Sequence, residues 1–291
     1  MSGFTAEWLN LREPVDVVSR GQHLVETLRG RLASDKTLRI LDLGAGTGAN
    51  LRYLAPRLGG EQHWRLLDND AALLSLVPLK LQAWTREQHL TMDIHKREMF
   101  IGGENFDCHV QWQEIDMFTN LRDIEFDGTD LVSASALLDL VSCQWLSELG
   151  GYTRKAQAAV YFALTYNGYI DFYPRCAADE RVRELVNVHQ LTDKGFGPAL
   201  GPAAALRARD IFQKMDFDLA LARSDWVIGG NEIELCRQLC DGWIQAARQV
   251  SPQENSDLSL WHESRLELFK HDDVAINVGH TDMVGWPAGR V

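Results

Sequence analysis

Two apolar patterns alternate along this chain. Short apolar runs occur at Leu38-Arg39-Ile40-Leu41-Asp42-Leu43, which stops at glycines, at Trp64-Arg65-Leu66-Leu67-Asp68, which ends in an acid, and at Thr129 to Ala134 and Ala158 to Leu164, the last continuing towards Tyr169 to Tyr173. Strands of a parallel sheet, buried on both faces, read this way. His109 to Asp116 alternates apolar and polar residues and predicts a further strand. Between the runs the spacing turns helical: Leu51 to Leu58, Ala71 to Glu87 with leucines at 73, 74, 76, 79 and 81, and Leu137 to Leu149, closed by Gly150-Gly151. Residues 89–107 are polar and irregular, with Gly102-Gly103 as a turn. Strands alternating with helices predict an α/β fold: a largely parallel sheet, helices on both faces, right-handed crossovers.

The flanks are helical. Residues 1–35 carry helical spacing from Trp8 to Leu32, with Pro14 placed to start a second helix. After Pro174 the spacing predicts helices at 179–190, 202–214, 231–249 and 259–270, and strands at Leu219 to Ile228 and Val274 to Val278. The expected organisation is an N-terminal helical segment over 1–35, able to act as a lid, and a main domain over 36–291. Within the latter, 175–215 and 229–270 are helical additions near the substrate side.

Composition narrows the function. Apolar residues make up 45 % and charged residues 24 %, the balance of an ordinary globular protein. The net charge of -12, with Lys and Arg scattered, argues against a nucleic-acid substrate, whose phosphates call for a basic face. Five widely spaced cysteines suit reduced thiols and a cytoplasmic location. Cys236 and Cys240 share a helix face, but no further ligands cluster with them, so no metal site is expected. No run approaches the about 20 apolar residues that span a bilayer, and the N-terminus lacks a signal pattern. Nothing in the sequence speaks to oligomeric state.

The sharpest motif is Asp42-Leu43-Gly44-Ala45-Gly46-Thr47-Gly48, between the first strand and its helix. Glycines there let the main chain turn tightly and approach a ligand, and the helix behind offers unpaired N–H groups. The spacing is neither that of a dinucleotide-binding loop nor that of a P-loop. Asp68 ends the second strand, 20 residues past Gly48, where a carboxylate can accept both ribose hydroxyls.

These residues resemble the class I S-adenosylmethionine-dependent methyltransferases, whose first motif is matched from Leu38 to Gly48. The resemblance covers roughly 36–175. It implies a Rossmann-like fold with a mostly parallel seven-stranded sheet and an antiparallel last strand. It also implies S-adenosylmethionine as cofactor: Asp42 near its amino-acid end, Gly44, Ala45, Gly46 and Gly48 presenting main chain, Asp68 on the ribose with Asn69 beside the adenine. Asp116-Met117 matches the family's adenine-reading position, and the fourth-strand segment with Ser133, Ala134 and Ser135 matches the lining of the transfer site.

The acceptor is not legible. Asp139, expected in the first turn of the helix after the fourth strand, is a base or anchor if it is not simply a helix-start acid. Tyr166 and Asn167 are expected after the fifth strand, as substrate contacts or an Asn-Gly turn. His189, Asp193 and Lys194 fall in a glycine-flanked loop suited to a lid, with His189 as a candidate base and Asp193 and Lys194 as candidate substrate contacts. Arg12 and Arg20 lie on the N-terminal segment, placed to reach a cofactor or substrate carboxylate unless they are merely solvated. Trp8, Trp226, Trp243 and Trp261 read as an aromatic pocket or, more simply, as core. The readings in play are a methyltransferase acting on a small molecule, a nicotinamide-dependent oxidoreductase, a non-catalytic binding protein, and an aminopropyl transferase, which the segment Ser133 to Ala136 matches poorly.

Overall fold

The computed structural model describes residues 4–32, 36–117, 121–270 and 274–289; the ends of the proposed N-terminal segment, 1–3 and 33–35, lie outside them. Five strands form the parallel centre: β1 (Leu38–Leu43), β2 (Gly60–Asp68), β5 (Phe106–Glu114), β6 (Leu131–Ser135) and β7 (Ala159–Tyr173), in the order β5-β2-β1-β6-β7. A last strand, β10 (Ala275–Pro287), runs antiparallel beside β7, and β8 (Phe217–Arg223) pairs antiparallel on its far side. These seven strands are the expected sheet.

Three more strands extend it. The stretch 89–107, expected to be irregular, holds the hairpin β3 (Thr91–His95) and β4 (Glu98–Gly102), which adds to the free edge of β5. Its period-two signal was present in Met99 and Ile101, which are buried while Phe100 between them faces out. The single strand expected over 219–228 is two, because Ser224-Asp225 breaks it into β8 and β9 (Trp226–Gly229). Asp225 accepts the main-chain N–H of His280 at 2.9 Å and so ties that break to β10.

The helices are α1 (Ala6–Ser19), α2 (Gln22–Arg31), α3 (Ala49–Leu58), α4 (Ala71–Ser75), α5 (Val77–Glu87), α6 (Cys143–Lys155), α7 (Asp179–Gln190), α8 (Ala204–Lys214), α9 (Ile233–Val250) and α10 (Asn255–Leu268). Two apolar clusters form. One gathers α1, α2, α3, α5, α7, α9 and α10, and the other gathers α6 and α8. Trp226, Trp243 and Trp261 are buried in the first of these, as core. Pro14 does not start a helix but sits inside α1, and the second helix begins at Gln22.

A further departure shapes the site. The helix expected from Leu137 starts only at Cys143, where Ser142 caps it by accepting the Trp145 N–H at 3.2 Å, and it runs through Gly150-Gly151 to Lys155. Leu137 to Val141 instead form a turn. Its carbonyls accept N–H groups from the loop before α8, Leu200 onto Val141 and Gly201 onto Asp139, each at 2.9 Å.

Candidate functional site

The site is built at the carboxyl end of β1, where parallel α/β sheets place their ligands. Gly44, Gly46 and Gly48 take left-handed φ values of 65°, 54° and 82°, a conformation that favours glycine. The loop is pinned from below. Ala45 N–H donates to the Leu67 carbonyl at 3.0 Å and Gly46 N–H to Asp68 Oδ2 at 2.7 Å. Asp68 also accepts the Asp70 N–H at 2.9 Å through Oδ1. Its carboxylate is buried, which raises its pKa against the main-chain N–H groups that lower it. Asn69 beside it is exposed.

Asp42 is the most confined acid here. It is 1 % exposed, and its Oδ1 accepts from Ser133 Oγ at 2.6 Å and from Asn50 Nδ2 at 2.7 Å. Oδ2 is buried with no partner among the described residues. Burial pushes the carboxyl up to about 6, against the hydrogen bonds and the charge of Arg20. Arg20, at the end of α1, reaches across to Asn50 Oδ1 and to Ser135 Oγ at 3.0 Å, and stacks 4.5 Å from the Tyr53 ring. Its guanidinium is buried, both of these bonds go to neutral oxygens, and its Nε has no partner among the described residues. The structure therefore brings a buried cation and a buried anion, each with an unused polar atom, to one spot beside the glycine loop. Arg20, named at the sequence level only as a possible carboxylate contact, comes to Asn50 from 30 residues away.

Helix α1 lies over this spot. A Cβ on Gly46 would come within 3.2 Å of Leu9 Cδ1, and Glu13 grips Arg52 of α3 through two bonds of 2.6 and 2.7 Å. Arg52 in turn donates to the Thr47 carbonyl of the loop at 2.7 Å. Met117 and Ala134 are buried nearby in the cluster that holds Leu43 and Leu137, whereas Asp116 is exposed.

The acceptor-side candidates separate. Asp139 sits in the turn after β6, not in a helix, so the helix dipole does not account for it. It is 6 % exposed, its Oδ1 is buried without a partner among the described residues, and burial pushes its carboxyl up to about 6. Tyr166 lies inside β7 rather than after it, opposite His280 of β10. The Asn167-Gly168 step is a bulge within the ladder, not a chain-reversing turn. Tyr166 donates its hydroxyl to Asn187 Oδ1 at 2.7 Å. Lys194 is buried and donates to Thr192 Oγ1 at 2.7 Å and to the His189 carbonyl at 3.1 Å. Asp193 closes its own loop, accepting from Gly195 and Gly197 N–H at 2.7 and 3.0 Å. His189 faces α9, its Nε2 3.0 Å from Gln249 Oε1, with burial and the Lys194 charge lowering its pKa. Arg12 is ion-paired to Asp16 at 2.9 Å and lies over the Trp226 ring.

Among the described residues no group of His, Cys, Asp and Glu is placed to hold a metal ion, and no helix is long and apolar enough to cross a membrane. An open groove of about 560 Å³ lies away from the glycine loop, against β2, β5 and the β3–β4 hairpin, with His63 and His109 in its wall.

No family model matches this chain, and no curated protein matches it. Solved structures do. A cyclopropane-fatty-acyl-phospholipid synthase-like protein from Lactobacillus casei superposes with a TM-score of 0.51 at 14 % identity, covering 98 % of this chain and 95 % of that one. A cyclopropane synthase from Mycobacterium tuberculosis matches at 0.43 and 10 % identity, over 90 % and 83 %. A phosphoethanolamine N-methyltransferase from Haemonchus contortus matches at 0.44 and 15 % identity, over 98 % and 59 %. At such identities the likeness is one of fold, and the chain has the Rossmann-like fold of the class I methyltransferases.

Proposed function

We propose that this protein is an S-adenosylmethionine-dependent methyltransferase acting on a small molecule. The observation that carries the reading is the pair of unused polar atoms beside the glycine loop, Asp42 Oδ2 and Arg20 Nε, both buried. An unsatisfied buried polar group costs about 1–3 kcal/mol, so two of opposite charge at one spot suit a zwitterionic ligand end. Arg20 would take the carboxylate of the cofactor's amino-acid moiety and Asp42 its ammonium. Asp68 would hold the ribose hydroxyls with the lone pairs left by its bonds to Gly46 and Asp70. Gly44, Ala45, Gly46 and Gly48 would carry the main chain past the ligand, with Met117, Ser133 and Ala134 behind it. Asn69 and Asp116 are solvent-facing and would stand at the adenine rim.

When bound, S-adenosylmethionine supplies a methyl group on a cationic sulfur, a strong electrophile with a good leaving group. The protein's own work is then alignment and exclusion of water. Helix α1, held down by the Glu13–Arg52 pair and by Leu9 on Gly46, is the element that closes the site. Its contacts support the reading of the N-terminal segment as a lid. The scattered basic residues and the charge of -12 favour a small acceptor over a nucleic acid. Thermal melting with S-adenosylhomocysteine and, separately, with NADH tests the proposal. A rise in Tm with the first alone is expected, and a rise with NADH alone would replace it with the oxidoreductase reading.

A further inference from the structure

On the acceptor side two more buried polar atoms lack partners among the described residues: Asp139 Oδ1 and His280 Nδ1. The side chains are 6 % and 5 % exposed, and they come from elements far apart in the chain, the turn after β6 and the middle of β10. Tyr166 neighbours both. Its main chain meets the Asp139 carboxylate, and its ring stands edge-on to His280 at 6.3 Å. Arg12 is close enough to raise the acidity of both groups. Lys194 is near Asp139, and its hydrogen bonds to Thr192 and to the His189 carbonyl are to neutral oxygens.

The main chain here is bent to bring these groups together. Leu164 in β7 and Ala136 after β6 both take left-handed φ values, 54° and 52°, unusual for residues with side chains. Asp282, fully buried, holds the β7 bend by accepting the Leu164 N–H at 2.7 Å, and anchors the α1–α2 joint by accepting the Gly21 N–H at 3.0 Å. Strain and orphaned polar atoms in one place are the marks of a site kept for something other than stability.

We infer that Asp139 and His280 together form the proton-handling end of an acceptor site, and that the acceptor is a small molecule whose nucleophile is protic, an amine or a hydroxyl. The inference rests on the methyl-transfer reading. The acceptor's N–H or O–H faces the Asp139 carboxylate. As the nitrogen or oxygen lone pair forms the new bond to the methyl carbon, the S–CH3 bonding pair leaves on sulfur and the proton passes to Asp139. His280 makes a second hydrogen bond to the acceptor. Burial and Arg12 hold its pKa down to about 3, against a bond to the Val278 main chain, so the ring stays uncharged, and Nδ1 is its nitrogen without a partner among the described residues. Asp139, pushed up to about 6, is matched to a base that must pick up a proton near neutrality. A thioether nucleophile, which has no proton to lose, would give these two groups nothing to do.

The variants Asp139→Asn and His280→Leu separate this from a structural role. Groups retained for function at a cost in stability are expected, once replaced, to leave Tm at the wild-type value or raise it by about 1–3 °C. Both variants should also keep the Tm rise given by S-adenosylhomocysteine. With methyl-labelled S-adenosylmethionine and a panel of small amines, phenols, hydroxy acids and thioethers, label should enter protic acceptors, and Asp139→Asn should slow that transfer by about 100-fold or more. A fall of several degrees in Tm for both variants, or label entering only thioethers or carbon, would overturn the inference. Absence of any S-adenosylhomocysteine effect on the wild type would instead strike the methyl-transfer reading itself.

Discussion

At the residue scale the account turns on how burial acts on a few acids. The Asp42 carboxyl is raised to about 6 because the pocket penalises its charge more than Ser133, Asn50 and Arg20 repay it. A folded-state pKa above the unfolded one means that the group's contribution to stability is full in acid and is lost as pH rises through about 6. Asp42→Asn removes that loss. The difference in Tm between variant and wild type should therefore be more favourable to the variant at about pH 8 than at about pH 5, and a difference independent of pH would contradict the assignment. Asp68→Ala should weaken S-adenosylhomocysteine binding by roughly 10- to 100-fold in calorimetry. It should also cost about 1–3 kcal/mol of stability, since the Gly46 and Asp70 N–H groups lose their acceptor. Unchanged affinity would remove Asp68 from the site. Asp42, the glycines and Asp68 were legible because they follow one another along a strand, a loop and the next strand. Arg20 was named only as one of two possible carboxylate contacts and His280 not at all, because what makes them notable is an unused nitrogen in a buried place, and burial is set by distant elements.

At the scale of elements, the strand–loop–helix unit at the site was readable from local pattern, and the pieces around it were less so. The β3–β4 hairpin escaped because its strands are short and the apolar Ile94 and Phe100 face outward, which blurs the alternation and leaves Met99 and Ile101 as the inward signal. The segment Leu137 to Val141 has helical spacing, yet it bonds to the loop at 200–201, and tertiary contacts override its local preference. Helix α1 is the element proposed to close the site. Glu13→Gln should loosen its grip on Arg52 and speed release of S-adenosylhomocysteine by roughly 3- to 10-fold, about 1 kcal/mol of closure, as read by stopped-flow displacement. An unaltered release rate would show that α1 does not gate the cofactor. Gly46→Ala combines a left-handed φ with Leu9 at 3.2 Å, and should cost about 1–2 kcal/mol in stability along with most of the affinity.

For the whole molecule, the strand order places the carboxyl ends of β1 and β6 side by side at the centre of the sheet. Asp42 and Ser133 meet there, and α1 covers them. The same order brings β10 against β7, so that the last strand, read from sequence only as far as Val278, supplies His280 to the interior. The fold was inferred from alternation of strand and helix, and the comparison of folds agrees with it. The proposed acceptor end was legible only in part: Arg12, Asp139, Tyr166 and Lys194 were named one by one, but their grouping with His280 was not, because it joins five separate stretches of chain. The central claim is that the bend after Leu43 binds an adenosyl amino acid. Isothermal calorimetry of the full chain with S-adenosylhomocysteine measures this directly. The account predicts saturable heat with one ligand per chain, reduced in Arg20→Ala and Asp68→Ala. Folded wild-type protein giving no heat with S-adenosylhomocysteine or S-adenosylmethionine would contradict it.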